Sequence, residues 1–291
     1  MVINLSKIRI LSDTSADLSV EEAKEYNIRL LPFKLNLEDG TEYRDRLDIS
    51  PEELYKNLRE TKQSVKTVQV TPTEFEEYFR EEAEEGYEEL VVVTIASTAS
   101  GTYQSAMLAK GIVEEENLIK VHVVDSMNLS YGTGYAIVEG AKALKEGATG
   151  EEVAKIIKET VDSSKSYFTV ETLEYLRKGG RIKAATAVIG GMLDIRPILT
   201  VEGGLVGSVD KVRGVKKVVP KFISLLKEDV KDFDDFTIML LDGDAKAMLE
   251  EMNEALFAEF GKKAEIIRTV GATIGAHAGP GVFGFCFVPK K

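Results

Sequence analysis

The chain of 291 residues carries 37 Lys and Arg against 49 Asp and Glu, for a net charge of −12, and 44% of its residues are hydrophobic. That composition excludes a disordered polymer and disfavours nucleic acid as a partner, while the length exceeds one ordinary core and predicts two domains with a cleft between them. A single cysteine, Cys286 in FGFCFV, permits no internal disulfide and reads as a small buried thiol, and Cys286, His122 and His277 are too few for a Cys/His zinc site.

The opening stretch MVINLSKIRILSD lacks the cationic and apolar regions of an export signal and reads as a first strand at 7–11. The longest apolar runs, such as LVVVTIA, fall far short of the ~20 residues a bilayer span requires, so a cytoplasmic protein without stable membrane insertion is expected. Helix starts are marked by a hydroxyl three residues before a glutamate: Ser19 with Glu22, Ser50 with Glu53, Thr71 with Glu74 and Thr149 with Glu152. Pro51 and Pro72 add the fixed φ that suits a first helical turn. Between these helices lie strand-like runs at 28–37 (IRLLPFKLNL), 89–95 (ELVVVTI) and 119–125 (IKVHVVD). The alternation predicts an α/β domain with a parallel sheet over 1–165.

From SSKS onward the texture changes. A hairpin is expected around Gly203 and Gly204, then a helix over VKKVVPKFISLLKEDV, a strand in FTIMLLDGD, a helix over AKAMLEEMNEALFAEF, and strands in AEIIRTV and GVFGFCFVP. These elements predict an α+β domain with a mainly antiparallel sheet over 166–291.

The strands at 7, 89 and 119 each end in a polar turn: SDTSAD, ASTASGTY and DSMNLSYGTG. Ligands of open α/β sheets sit beyond the carboxyl ends of strands, so the three turns are expected to share one rim. Asp13 and Asp17 lack the spacing of a phosphoryl-accepting pair and suit turn and cap roles. In the second turn, Ser97 or Ser100 could act as a nucleophile with His277 as base and Asp242 or Asp244 as acid, giving a serine esterase or thioesterase. The elbow G-x-S-x-G is missing, because Thr98 and Thr102 stand at its glycine positions. Alternatively a hydroxyl and an imidazole hold a ligand carboxylate and no bond breaks, or the same scaffold takes another polar anion. Arg181 after Gly179 and Gly180, and Arg213 in DKVRG, are either surface turn residues or anion-binding forks. The glycines of AHAGPGVFGF match G-x-G-x-x-G in letters only, since no helix can follow, and no Walker A sequence exists. No cofactor is therefore expected.

Seven segments in order resemble the DegV family of bacterial fatty-acid-binding proteins, the acyl-binding subunits of a two-component fatty acid kinase. They are SDTSADL, KTVQVTPTEF, STASGTYQSA, VVDSMNLSYGTG, TLEYLRKGGRI, RPIL and HAGPGVFGF. The resemblance implies a long-chain fatty acid in an apolar tunnel between the two domains, its carboxyl group near the rim and in contact with Thr67, Ser97 and His277. Arg181 and Arg213 would lie near the carboxyl end and the surface used by the kinase. The chain departs from the family pattern at Val68, which has no hydroxyl, and at Ala96, which stands where the first of two serines is usual. By the same resemblance the protein has no catalytic residue of its own. It presents the carboxylate to the ATP-binding subunit and carries the resulting acyl phosphate to an acyltransferase of phospholipid metabolism.

Overall fold

A computed structural model describes residues 7–182 and 194–290. Strand β1 (Ile8–Asp13) leads through a 3-10 turn to α1 (Val20–Glu25) and β2 (Ile28–Leu31). Then come β3 (Lys34–Leu37), β4 (Glu42–Arg44), α2 (Pro51–Thr61), β5 (Val65–Val68), α3 (Pro72–Glu84) and β6 (Glu89–Thr94). The chain continues with α4 (Thr102–Glu115), β7 (Lys120–Asp125), α5 (Tyr131–Lys145) and α6 (Gly150–Ser163). All four hydroxyl–glutamate signals form reciprocal capping boxes at the starts of α1, α2, α3 and α6, satisfying amide donors that a helix end leaves unpaired.

The first sheet is parallel, in the order β2-β1-β6-β7. Its strands are buried on both faces, as parallel strands between helices must be. Leu11, Leu90, Val92 and Val121 pack with Phe75 and Phe79 of α3 and with Ala106, Ala109 and Val113 of α4. Ile10, Val91 and Val93 face Ile137 and Ala141 of α5 and Val153 and Ile157 of α6.

After α6 the chain enters β8 (Lys165–Thr169), α7 (Glu174–Lys178), the hairpin of β9 (Ile195–Glu202) and β10 (Leu205–Arg213), and α8 (Val218–Val230). It ends with β11 (Phe236–Gly243), α9 (Lys246–Phe260), β12 (Ile266–Thr269), α10 (Ala272–Ala278) and β13 (Val282–Pro289). These strands form a second sheet, ordered β10-β9-β8-β13-β11-β12, antiparallel except for the β11–β12 pair. Phe283, Phe285 and Phe287 on one face of β13 bury against α8 and α9. Val282, Cys286 and Val288 on the other join the core shared with α5 and α6. Helices α5 and α6 are thus sandwiched between the two sheets, and the predicted α/β and α+β parts meet along that layer.

The run 28–37 is not one strand. Pro32 has no amide hydrogen to donate to a ladder, and the chain turns there. Residues 28–31 join the parallel sheet, whereas 34–37 found a separate antiparallel sheet ordered β4-β3-β5. That small sheet and α2 bury Leu35, Leu54, Leu58 and Val65 against Ala272 and Ala276 of α10, so an early segment of the chain packs on a late one.

Candidate functional site

The three polar turns do share one rim, because β1, β6 and β7 are adjacent and parallel. They are tied to one another. Asp13 accepts the amide of Ile95 at 2.8 Å and that of Ser15 at 3.0 Å, Ala96 donates to the carbonyl of Asn128 at 3.2 Å, and Ser130 donates to the carbonyl of Ser15 at 3.0 Å. Asp17 accepts the hydroxyl of Ser130 and, at 2.8 Å, the amide of Gly271, which precedes α10. Asp45 accepts the amide of Thr273 at 3.1 Å and its hydroxyl at 2.5 Å. Burial pushes Asp13 up to about 6 and Asp17 up to about 7, with Arg46 opposing the rise at Asp17. Asp17 fastens the start of α10 to the rim, Asp45 holds α10 from the loop after β4, and Ser19, not Asp17, caps α1.

So held, α10 directs His277 at Thr67 of β5, with Nε2 2.9 Å from Oγ1. The other ring nitrogen, Nδ1, is buried without a hydrogen-bond partner among the described residues, and a Cβ on Gly179 would collide with it. Only glycine lets the end of α7 approach this ring. Burial first, and then the charge of Arg181, lowers the imidazole to about 4, so His277 is neutral at pH 7. Arg181 lies against the rim turn, its Nη1 donating to the carbonyl of Gly179 at 2.6 Å and its Nη2 to that of Ala99 at 3.3 Å.

Thr67, Gln69, Ser100, Arg181, Thr273 and His277 line one cavity of about 120 Å³ whose remaining wall is apolar: Phe33, Ile95, Leu129, Phe168, Leu176, Val206 and Ile274 among others. Ser100 donates to Oε1 of Gln69 at 3.1 Å and lies 2.8 Å from the hydroxyl of Thr102, while Gln69 donates to Ser105 at 3.2 Å. A second cavity of about 70 Å³ shares Leu129, Phe168, Ile274 and Ala278 with the first and runs on between the sheets to Val282 and Cys286.

Two expected ligand residues lie elsewhere. Ser97 does not line the cavity; its amide donates to Asp125 at 3.0 Å and its hydroxyl points at the sulfur of Met127, because the turn needs that position to join β6 to β7. Arg213 closes β10 on an exposed face, opposite Ile195. Ser100, weighed from sequence as a nucleophile, is the rim hydroxyl that reaches the cavity. Thr273 and Ile274 escaped notice because VGATIG carries no helical period long enough to reveal α10.

The serine triad is not assembled. Asp242 accepts the amide of Ala245, Asp244 pairs with Arg59, and His277 is turned to Thr67. Among the described residues no group of three or more His, Cys, Asp or Glu could hold a metal, and no helix is long and apolar enough to cross a membrane.

The model of the DegV family, described as an uncharacterised protein family, matches residues 7–290. The chain belongs to the DegV family. A DegV domain-containing protein of Caldanaerobacter subterraneus is 35% identical over 286 residues, covering 98% of this chain and 100% of that one. The fatty acid-binding protein of Thermotoga maritima is 34% identical over 284 residues, 96% of each. Among solved DegV structures, a fatty-acid-binding protein from Thermus thermophilus superposes with a TM-score of 0.87 at 29% identity, covering 97% of this chain and 99% of that one. A DegV lipid-binding protein from Thermotoga maritima gives a TM-score of 0.86 at 32% identity, with 98% and 99% covered.

Proposed function

We propose that this DegV protein binds a long-chain fatty acid between its two sheets and presents the carboxylate at the rim for phosphorylation by a separate, ATP-binding kinase subunit. The observation that carries it is the cavity pair itself: one polar end built from Thr67, Ser100, Arg181 and His277, and an apolar path leading away from it into the seam. Relatives of the same fold bind fatty acid, which supports the ligand class. Residues 1–165 and 166–291 would act as the two domains that close on the ligand.

Affinity would reside in the tail. At about 0.8 kcal/mol per buried methylene, some 14 methylenes contribute on the order of 10 kcal/mol before the ligand's ordering costs. The head group then needs only to be oriented. Thr67 and neutral His277 offer hydrogen bonds, and Arg181 supplies positive potential without a buried ion pair that would quench the carboxylate as a nucleophile. Ser97 would act indirectly by shaping the turn that carries Ser100, and Arg213 would belong to an outer face open to a kinase or to an acyltransferase receiving the acyl phosphate. In that transfer the carboxylate oxygen attacks the γ-phosphorus and ADP leaves; the protein contributes position.

Native mass spectrometry of the purified protein, followed by mass analysis of what denaturation releases, tests this directly. Near-stoichiometric fatty acid is expected. An empty protein, or one carrying a polar phosphate ester, would refute the ligand class. With a kinase partner, Thr67→Val and His277→Ala are expected to slow acyl phosphate formation more than they weaken binding.

A further inference from the structure

The seam cavity is divided, and two small neighbouring groups line its inner part alone. Leu129, Phe168, Ile274 and Ala278 border both chambers and form a neck between them. The polar residues Thr67, Arg181 and His277 line only the first chamber, whereas Gly132 and Cys286 line only the second. Any amphiphile held by its head at the rim therefore extends its far end into the chamber that Gly132 and Cys286 help to line.

We infer that Gly132 of α5 and Cys286 of β13 set the length of acyl chain the protein accepts, acting as the floor of the inner chamber. A methyl group placed on Gly132 would lie 3.2 Å from the sulfur of Cys286 and 3.3 Å from Nδ2 of Asn128, tight contacts that would press on the wall of the inner chamber. Gly132 is near the start of α5 with ordinary helical geometry, so nothing in the backbone requires glycine there. Alanine would be the better helix former. Glycine is kept there by close packing against Cys286 and Asn128, so a larger residue would have to displace the chamber wall. The thiol fits this chamber. Burial pushes Cys286 up to about 12, so it stays protonated and presents a soft, uncharged surface to a hydrocarbon terminus. Two of the neighbouring polar side chains are already engaged: the hydroxyl of Ser130 bonds to Asp17, and the phenol of Tyr167 donates to Asp229 at 2.6 Å. With no charged side chain in its lining, the inner chamber is suited to the methyl end of a chain.

This inference rests on the fatty-acid reading, and the test separates the two. Full-length protein stripped of lipid is incubated with an equimolar mixture of laurate, myristate, palmitate and stearate, and the bound distribution is read by native mass spectrometry. Wild type is compared with Gly132→Ala and Cys286→Ala, each checked for an unchanged far-ultraviolet spectrum and a cooperative melt. Gly132→Ala is expected to favour shorter chains, by roughly tenfold for each methylene that no longer fits. Cys286→Ala, which removes the sulfur from the floor, is expected to shift the distribution towards longer ones. Either shift alone supports the assignment if the other variant fails to fold. Fatty acid bound by all three proteins with the same distribution would overturn the floor and leave the ligand class standing. A wild-type protein that takes up none of the four would remove both.

Discussion

His277 couples the site to pH. In the free protein it titrates at about 4, because burial and Arg181 both disfavour the imidazolium. A bound carboxylate adds negative charge next to the ring and raises that value. The complex then binds more protons than the free protein at any pH between the two values, so affinity must rise as pH falls through that window. At most one proton is taken up, which limits the gain to about tenfold per pH unit. The expected result is a fatty acid dissociation constant that falls on acidification from pH 7 to 5 in wild type by more than in His277→Gln. The ligand's own titration is common to both proteins, so equal slopes would show that the imidazole does not take up the proton. The single residues most legible in the sequence were of this kind. Arg181 and His277 stand out as polar groups in glycine-rich or apolar surroundings, Thr67 is marked only by the family resemblance, and the fold brings all three to one cavity. Ser97 and Ser100 were not separable by sequence, since two hydroxyls in one turn differ only in the direction the backbone gives each.

At the scale of elements, hydrogen-bond chemistry local to the chain was readable and contact between elements was not. The four capping boxes are local and appeared where the hydroxyl and glutamate stood. By contrast β5, which carries Thr67, is four residues long and half polar, and α10, which carries His277, is seven. Neither has enough periodicity to announce itself. Close packing of strands leaves another mark in Gly284, which pairs with Phe168 across β13 and β8. A Cβ there would come 2.5 Å from the carbonyl oxygen of Tyr167 and 2.6 Å from Cβ of Phe168. Gly284→Ala should therefore destabilise by about 1–3 kcal/mol through overpacking, and it should displace the ring that forms the neck. Gly111, on the outer face of α4 with nothing within 4 Å of an added methyl, provides the contrast, and Gly111→Ala should stabilise by up to about 1 kcal/mol. Denaturant midpoints of the two variants decide the matter. A neutral Gly284→Ala would mean the strands can separate at little cost.

For the whole molecule, the candidate site belongs to neither sheet. Its wall takes Ile95 and Ser100 from the parallel sheet's rim, Phe168 and Val206 from the second sheet, and Thr67 from the small sheet that packs on α10. A ligand in that seam touches parts of the structure that unfolding would separate, and it binds the native state alone. Mass action then stabilises the folded protein by RT ln(1 + [L]/Kd), about 2.7 kcal/mol at a free ligand concentration of 100 Kd. Removal of lipid should lower Tm by several degrees, and titrating palmitate back should restore it in a concentration-dependent manner. A melting point indifferent to added fatty acid would argue that the seam is not where the ligand sits.

Sequence by itself determined what depends on neighbours along the chain: the alternation of strands and capped helices before residue 165, the change to hairpin texture after it, and the polar turns after β1, β6 and β7. Composition also fixed the net charge of −12 and the single cysteine, which are properties of the chain in any conformation. Tertiary structure decided the rest. It broke the run 28–37 at Pro32 and sent its halves to different sheets, it turned Ser97 away and Ser100 inward, and it placed Thr67 against His277 across 210 positions of sequence. The physical reason is one of range. Caps and turns are satisfied within four residues, whereas a cavity is the space left when distant surfaces pack, and no local pattern records its shape.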